Sequence, residues 1–485
     1  MKGVVTMKLL KEGYKTIEKI AGPLLFVSKV ARGGIGEIVK IESNFGEDYG
    51  QILQIVDDLC VIQVFGETMG LAPNNTVVWL ERDVVKIPLG IALQGRMLNG
   101  RAMPIDGEGP ISCIEKWAPI QGNAINPWRR KSPHEFIETG ISTIDLMNTL
   151  VKGQKLPIFT GSGLPADKLA AQIVKYARTP ATSADSSPFM VVFAALGITQ
   201  REASYFREAF RESGSIYRGV FFFNLAGDPS IERILTPRMA LTVAEYFAFE
   251  KGYDVLVVLT DMLHYCEALR EISSAREEIP GRRGFPSYMY SDLASIYERA
   301  GCISGIKGSI TQIPIVTMPD DDLTHPVPDL TGYITEGQIV MDRELHGKGI
   351  YPPIDVLSSL SRLMNKGIGE GSTVPEHRAL SDQLYAAYGR FKDLVRLKTI
   401  IGEEGLTPTE MSYLSFGEKF ESEFVNQGER RRSLDETLEH AWNCLLTLPK
   451  DELHRLPVNL IDEVMLKREQ RHEPKAADQG SIVRA

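Results

Sequence analysis

The chain has 485 residues, of which 43% are hydrophobic and 24% charged, and a net charge of −9. That length exceeds one compact core and points to roughly two to four domains of ordinary globular composition. The acidic balance argues against a nucleic-acid partner, which needs a basic surface. No run approaches the ~20 apolar residues of a membrane-spanning helix, and the opening MKGVVTMKLLKEGYK lacks the apolar core and cleavage site of a signal peptide.

Residues 1–13 read as an N-terminal extension. From 14 to 87 the chain carries short apolar or alternating segments: Leu24–Val27, Gly36–Ile41, Gln51–Val56 and Cys60–Phe65. Gly, Asn and Asp punctuate them, as in a small antiparallel β-barrel. Within 88–370 the pattern changes to apolar runs alternating with helical periods. The runs Leu156–Phe159, Phe189–Leu196, Val220–Leu225, Val255–Leu259 and Ile310–Val316 suit buried strands of a mostly parallel sheet. One helix is expected to start with Thr236 as cap and Pro237 in its first position, and to end at Gly252.

Over 371–466 no strand pattern appears. Thr407-Pro408-Thr409-Glu410 and Ser433-Leu434-Asp435-Glu436 resemble capping boxes, the second opening a segment with Leu434, Leu438, Trp442 and Leu445 spaced along a helix. A C-terminal helical bundle follows. Residues 467–485 are polar and read as a loose tail. The fold class is therefore multidomain α/β: a β-barrel, a central α/β domain and a helical bundle. Five cysteines, at 60, 113, 266, 302 and 444, show no CxxC spacing, and buried reduced thiols are the expected state.

The segment Leu156 to Ala170 reads as strand, glycine turn and helix, the context of a phosphate-binding loop. A working loop is GxxxxGK[ST]: backbone N–H groups cradle phosphates, the lysine neutralises charge and the hydroxyl binds Mg²⁺. Gly161, Ser162 and Gly163 keep the turn. Ala166 then stands at the second glycine, Asp167 at the lysine and Lys168 at the hydroxyl. An aspartate repels phosphate and a lysine does not ligate Mg²⁺, so by itself the string reads as a plain glycine turn before a helix. The run Leu256–Thr260 ends at Asp261, either a metal-holding carboxylate or a helix cap. A general base after the 191–196 strand is missing, because Glu202 and Glu208 fall in a helical stretch.

Several long strings resemble one family. GSGLPADKLAAQI, VVFAALGIT, NLAGDPSIERILTPRMALTVAEY, EALREIS, IPGRRGFPSYMYSDLASIYERAG, THPVPDLTGYITEGQI and PPIDVLSSLSRLMNKGIG occur in the order found in the B-type subunits of V/A-type rotary ATPases. The resemblance runs from about residue 14 to about residue 460. It implies a RecA-like central domain and a ring of three catalytic A and three non-catalytic B subunits around a central stalk, held by peripheral stalks. ATP or ADP would lie at the A/B interface, with Mg²⁺ held mainly by the partner. The chain would serve ATP synthesis or hydrolysis coupled to H⁺ or Na⁺ transport, and would meet the membrane only through the complex, on its cytoplasmic face.

The resemblance also implies that Arg362, in Leu360-Ser361-Arg362-Leu363, is an arginine finger reaching the neighbour's nucleotide. Without the flanking strings, a surface ion pair would be the ordinary reading. Pro280–Pro286 resembles the loop facing the stalk, and Tyr333 lies in a segment near the interface. Ala166-Asp167-Lys168, Ser287 and Ser372 depart from the family's usual residues, which weakens any nucleotide binding by the chain itself. A self-sufficient P-loop ATPase is disfavoured by Asp167 and the missing base. A nucleic-acid-translocating ring is disfavoured by the charge.

Overall fold

The computed structural model describes residues 12–30, 32–180 and 187–472. Seven strands form the N-terminal barrel-like sheet: β1 (Gly13–Tyr14), β2 (Ile17–Ala21), β3 (Leu24–Ser28), β4 (Glu37–Ser43), β5 (Gly46–Val56), β6 (Leu59–Val64) and β7 (Val77–Val84). Their order is β1-β7-β4-β5-β6-β3-β2, with every pairing antiparallel. Alternate residues such as Val39, Ile41, Ile62, Val64, Val78 and Leu80 fill its core. That two-residue period is what the sequence announced.

The central sheet contains β8 (Met97–Asn99), β9 (Ile158–Gly161), β10 (Phe189–Ile198), β11 (Gly219–Leu225), β12 (Asp254–Thr260), β13 (Ser309–Met318), β14 (Gly337–Met341) and β15 (Ile354–Ser361). Their spatial order is β15-β14-β9-β13-β12-β10-β11-β8. All neighbours are parallel except β14 and β15. Helices cover both faces. On one side lie α1 (Ser142–Met147), α2 (Ala166–Tyr176) and α3 (Gln200–Glu212); on the other lie α4 (Ser230–Glu245), α5 (Met262–Ala275), α6 (Met289–Tyr297) and α7 (Pro326–Ile334). Strand β12 shows why the run 255–259 is uniformly apolar. Val255, Val257 and Leu259 point into one core and Leu256 and Val258 into the other, so neither face meets water.

Helix α4 corrects one expectation. It starts at Ser230, so Thr236 and Pro237 lie inside it and do not open it. Local signals favoured a start at Pro237, but the helix is buried along nearly its whole length and packing overrides them. Thr236 Oγ1 donates to the Glu232 carbonyl at 2.6 Å. The helix continues as a wider turn over Tyr246–Glu250, and Gly252, at φ 78°, follows its end as expected.

Two short helices, α8 (Arg343–Gly347) and α9 (Met364–Gly367), lead to the C-terminal bundle. It holds α10 (His377–Ile401), α11 (Pro408–Lys419), α12 (Leu434–Leu445) and α13 (Val458–His472). Both expected capping boxes are present, at Thr407/Glu410 and Ser433/Glu436. Helix α13 runs into the stretch expected to be a loose tail; residues 473–485 lie outside the described residues, as do 1–11 of the N-terminal extension. Cys60, Cys266 and Cys444 are buried free thiols, but Cys302 is only partly buried and Cys113 is exposed, which corrects the expectation for those two. Among the described residues no helix is long and apolar enough to cross a membrane.

The bundle is joined to the central domain through α1, whose Leu146 and Met147 belong to the bundle's core. His377 opens α10 in this junction, fully buried, with Nε2 at 2.9 Å from the Leu146 carbonyl. Burial pushes its imidazole from the ordinary 6.5 down to about 4. The unfolded chain therefore takes up this proton first as pH falls. The stabilising contribution is intact above about 6.5 and lost between 6.5 and 4. Compared with His377→Gln, the wild type is expected to lose about 3 kcal/mol more stability over that window. Urea midpoints measured from pH 7 to pH 4 check this, and parallel curves would refute it.

Candidate functional site

Strand β9 delivers the chain into the turn Gly161-Ser162-Gly163, and Gly163 adopts φ 82°, a conformation that favours glycine. Helix α2 begins at Ala166. The shape of a phosphate loop is thus present. A helix N-terminus attracts anions because its first N–H groups lack partners. Here Asp167 places the chain's own carboxylate in that first turn. Burial pushes its carboxyl up to about 6, with Glu202 and Asp261 raising it further. Lys168 points the other way: it is exposed and pairs with Glu429 at 3.4 Å.

A second obstruction was not visible in the sequence. Arg343, in the first position of α8, pairs with Asp321 through two contacts of 2.8 Å and donates to the Ser162 carbonyl at 3.0 Å. Asp321 sits so close that a Cβ on Gly161 would collide with its Oδ1. An ion pair therefore closes over the loop from the side of β13 and β14. The one local clue is an arginine just after the short strand β14, whose five residues carry too little pattern to mark a strand.

Asp261 takes the helix-capping alternative. Its Oδ1 accepts from Leu263 N at 2.8 Å at the start of α5, and both oxygens accept from Thr317 N at 3.1 and 3.2 Å. Glu202 closes a capping box with Thr199 at the start of α3, and Glu208 is exposed on the same helix. Glu202 is thus engaged as a helix cap, yet it lies close enough to α2 to raise the Asp167 carboxyl.

Arg362 lies elsewhere. It follows β15, the antiparallel edge strand, and is exposed. Its N–H donates to the Glu336 carbonyl at 3.0 Å and its Nη1 to the Thr335 carbonyl at 3.3 Å. Among the described residues no carboxylate pairs with its guanidinium. The register locates it relative to the loop. Ser361 pairs with Gly337, two residues before Ile339, while Ile339 pairs with Ile158, three residues before Gly161. The arginine and the chain's own glycine turn are thus at opposite ends of the sheet, roughly 17 Å apart along the strands at ~3.3 Å per residue. The fold does not bring Arg362 together with Gly161, Ser162 and Gly163.

The loop resembling a stalk-facing segment holds Arg282, paired with Asp329 at 3.1 Å, and Arg283, paired with Asp322 at 2.9 Å. Tyr333 is 75% exposed on α7.

Three family models match in chain order. The ATP synthase alpha/beta family β-barrel domain covers residues 17–80, the nucleotide-binding domain of the same family covers 140–361, and the C-terminal domain of V and A type ATP synthase covers 366–465. V-type ATP synthase beta chains from two strains of Thermus thermophilus are each 57% identical to it over 455 residues, 93% of this chain and 95% of theirs. The chain belongs to the V-type ATP synthase beta-chain family. A solved ATP synthase subunit, NeqB from Nanoarcheaum equitans, superposes with a TM-score of 0.70 at 39% identity, covering 88% of this chain and 100% of that one. Membership in this family makes the central α/β domain a nucleotide-binding domain by descent and makes the chain one subunit of a larger assembly.

Proposed function

We propose that the chain is the non-catalytic, regulatory B subunit of a V/A-type rotary ATP synthase or ATPase. It alternates with catalytic A subunits in an A3B3 ring, and Arg362 is the arginine finger for the neighbour's ATP site. ATP or ADP lies at the A/B interface, with Mg²⁺ held mainly by the partner subunit. Lys168 offers no hydroxyl at the position where a phosphate loop holds that metal. Central-stalk and peripheral-stalk subunits complete the assembly, which couples ATP synthesis or hydrolysis to H⁺ or Na⁺ transport from the cytoplasmic face of the membrane. In this reading 14–87 is the barrel, 88–370 the nucleotide-binding domain and 371–466 the helical domain.

The observation that carries this reading is Arg362: exposed, without a carboxylate partner among the described residues, and remote from the chain's own loop. A guanidinium left available in that way suits the spread negative charge of a transferring phosphoryl group on another subunit. The test is ATP turnover by the complete complex carrying Arg362→Ala. Near-normal turnover in an intact assembly would sink the reading.

The isolated chain supplies a second test. With Asp167 in the first turn of α2 and the Arg343–Asp321 pair over Gly161, titration with MgATP is expected to give no saturable binding up to ~1 mM, where binding free energy is only about −4 kcal/mol. Micromolar affinity, or ATP hydrolysis by the chain alone, would restore the self-sufficient ATPase reading.

A further inference from the structure

The backbone on both sides of Arg362 hangs from one buried amide. Ser361 is the last residue of β15, and its Oγ accepts from Gln154 Nε2 at 2.9 Å. The same Nε2 donates its other hydrogen to the Glu336 carbonyl at 3.1 Å. That carbonyl also accepts the Arg362 N–H at 3.0 Å. Gln154 is completely buried. Its Oε1 accepts from Val151 N at 3.0 Å, so every polar atom of the amide is engaged in only one orientation of the group. Its own backbone is stitched to β13 by the Gln312 N–H at 2.9 Å.

A second link leaves from the same hydroxyl. Ser361 Oγ donates to the Thr149 carbonyl at 2.9 Å. The Thr149 side chain donates to the Asp145 carbonyl at 2.9 Å and lies 3.4 Å from His377 Nε2. Thr149 and His377 are both fully buried. Polar contacts therefore run without interruption from the first residue of α10, in the C-terminal bundle, to the residue before Arg362. Such an arrangement is costly to leave half made in a buried site, so it holds one geometry.

We propose that Gln154 and Ser361 are positioning residues for Arg362, fixing the backbone from which the guanidinium projects and tying it through Thr149 to the C-terminal bundle at His377. This rests on Arg362 acting on a neighbour's nucleotide, and deepens that reading. Among the described residues the exposed side chain has one weak hydrogen bond of its own, at 3.3 Å to the Thr335 carbonyl. Its aim is therefore set by the backbone, and a shift of about 1 Å at a reacting group costs on the order of 100-fold in rate.

The experiment uses the complete complex with its catalytic subunits. Gln154→Glu keeps the acceptor for Val151 N and removes the paired amide hydrogens. Ser361→Ala removes one oxygen and keeps the side chain's bulk, so it is the milder variant. Each is made alone and with Arg362→Ala, and single-turnover ATP hydrolysis is followed so that slow rates are resolved. In the wild-type background each is expected to lower kcat roughly tenfold to 100-fold with little change in KM. In the Arg362→Ala background neither should lower it further, because the effect passes through the arginine. Equal losses in both backgrounds would overturn the proposal, since a merely structural role would produce them. So would wild-type kcat in both single variants while Arg362→Ala is slow. If Arg362→Ala itself turns over normally, the arginine-finger reading fails first and this one with it.

Discussion

Arg362→Ala, in the assembled complex, is expected to lower kcat for ATP hydrolysis by about 10³–10⁵-fold, or about 4–7 kcal/mol of transition-state stabilisation. The same change is expected to leave folding and assembly nearly untouched. The side chain is exposed, and among the described residues its one hydrogen bond is to a neutral carbonyl at 3.3 Å. Removing it opens no cavity and strands no buried charge, and surface changes of that kind stay within about 0.5 kcal/mol. Arg362→Lys separates charge from shape. Lysine keeps the positive charge but loses the planar fork that can engage two phosphate oxygens, so it should recover only part of the rate. Steady-state and single-turnover ATPase assays on gel-filtered complex read both variants. Full activity in the lysine variant would mean that charge alone matters and that the fork geometry is incidental.

What could be read from the chain, and what could not, follows from how far apart the interacting residues are. The central strands β10 to β13 were legible because both faces of the sheet are covered, which forces uninterrupted apolar runs such as Val255–Leu259. Strand β15 was not, because serines occupy its buried face. Ser359 and Ser361 are 5% and 7% exposed, and each is satisfied by hydrogen bonds that no local pattern reveals. The damaged loop was legible residue by residue, since Asp167 and Lys168 sit where chemistry demands lysine and hydroxyl. The Arg343–Asp321 pair over that loop was not, because it forms between the ends of two strands, one of which escaped notice. Arg362 is the sharpest case. Nothing in its own neighbourhood distinguishes it from a solvated arginine, and only the likeness of long strings drew attention to it. The sheet register then adds what the string could not: it is far from the chain's own glycine turn.

Arg299 is expected to show the opposite behaviour, a large loss of stability with no direct effect on chemistry. Its side chain is 1% exposed, and all five of its N–H donors are used. Nε and Nη2 clamp the two oxygens of Glu245 at 2.7 and 2.8 Å; Nη2 also donates to Thr242 Oγ1 at 2.8 Å; Nη1 donates to the carbonyls of Ile120 and Arg238 at 3.1 and 3.3 Å. The residue thereby fastens the segment around Ile120 to α4. Gly122 adopts φ 55° directly against it, and a Cβ there would collide with the guanidinium carbon. Arg299→Met fills much of the volume but leaves Glu245 without its guanidinium, while the Ile120 and Arg238 carbonyls keep only the Thr242 hydroxyl from this network, a loss of about 3–5 kcal/mol for breaking a buried pair. Arg299→Lys keeps the charge on a single nitrogen that cannot reach all five acceptor oxygens, so its stability should fall between the wild type and Arg299→Met. Gly122→Ala should destabilise in the same direction, through strain at that backbone and collision with the same group. Urea denaturation gives the losses, and ATP turnover per folded complex at low temperature should remain close to wild type. A stable Arg299→Met protein would show that the packed methionine offsets the broken network, as replacing a buried ion pair by apolar groups sometimes does. Loss of turnover without loss of stability would instead give Arg299 a role in turnover beyond holding the fold.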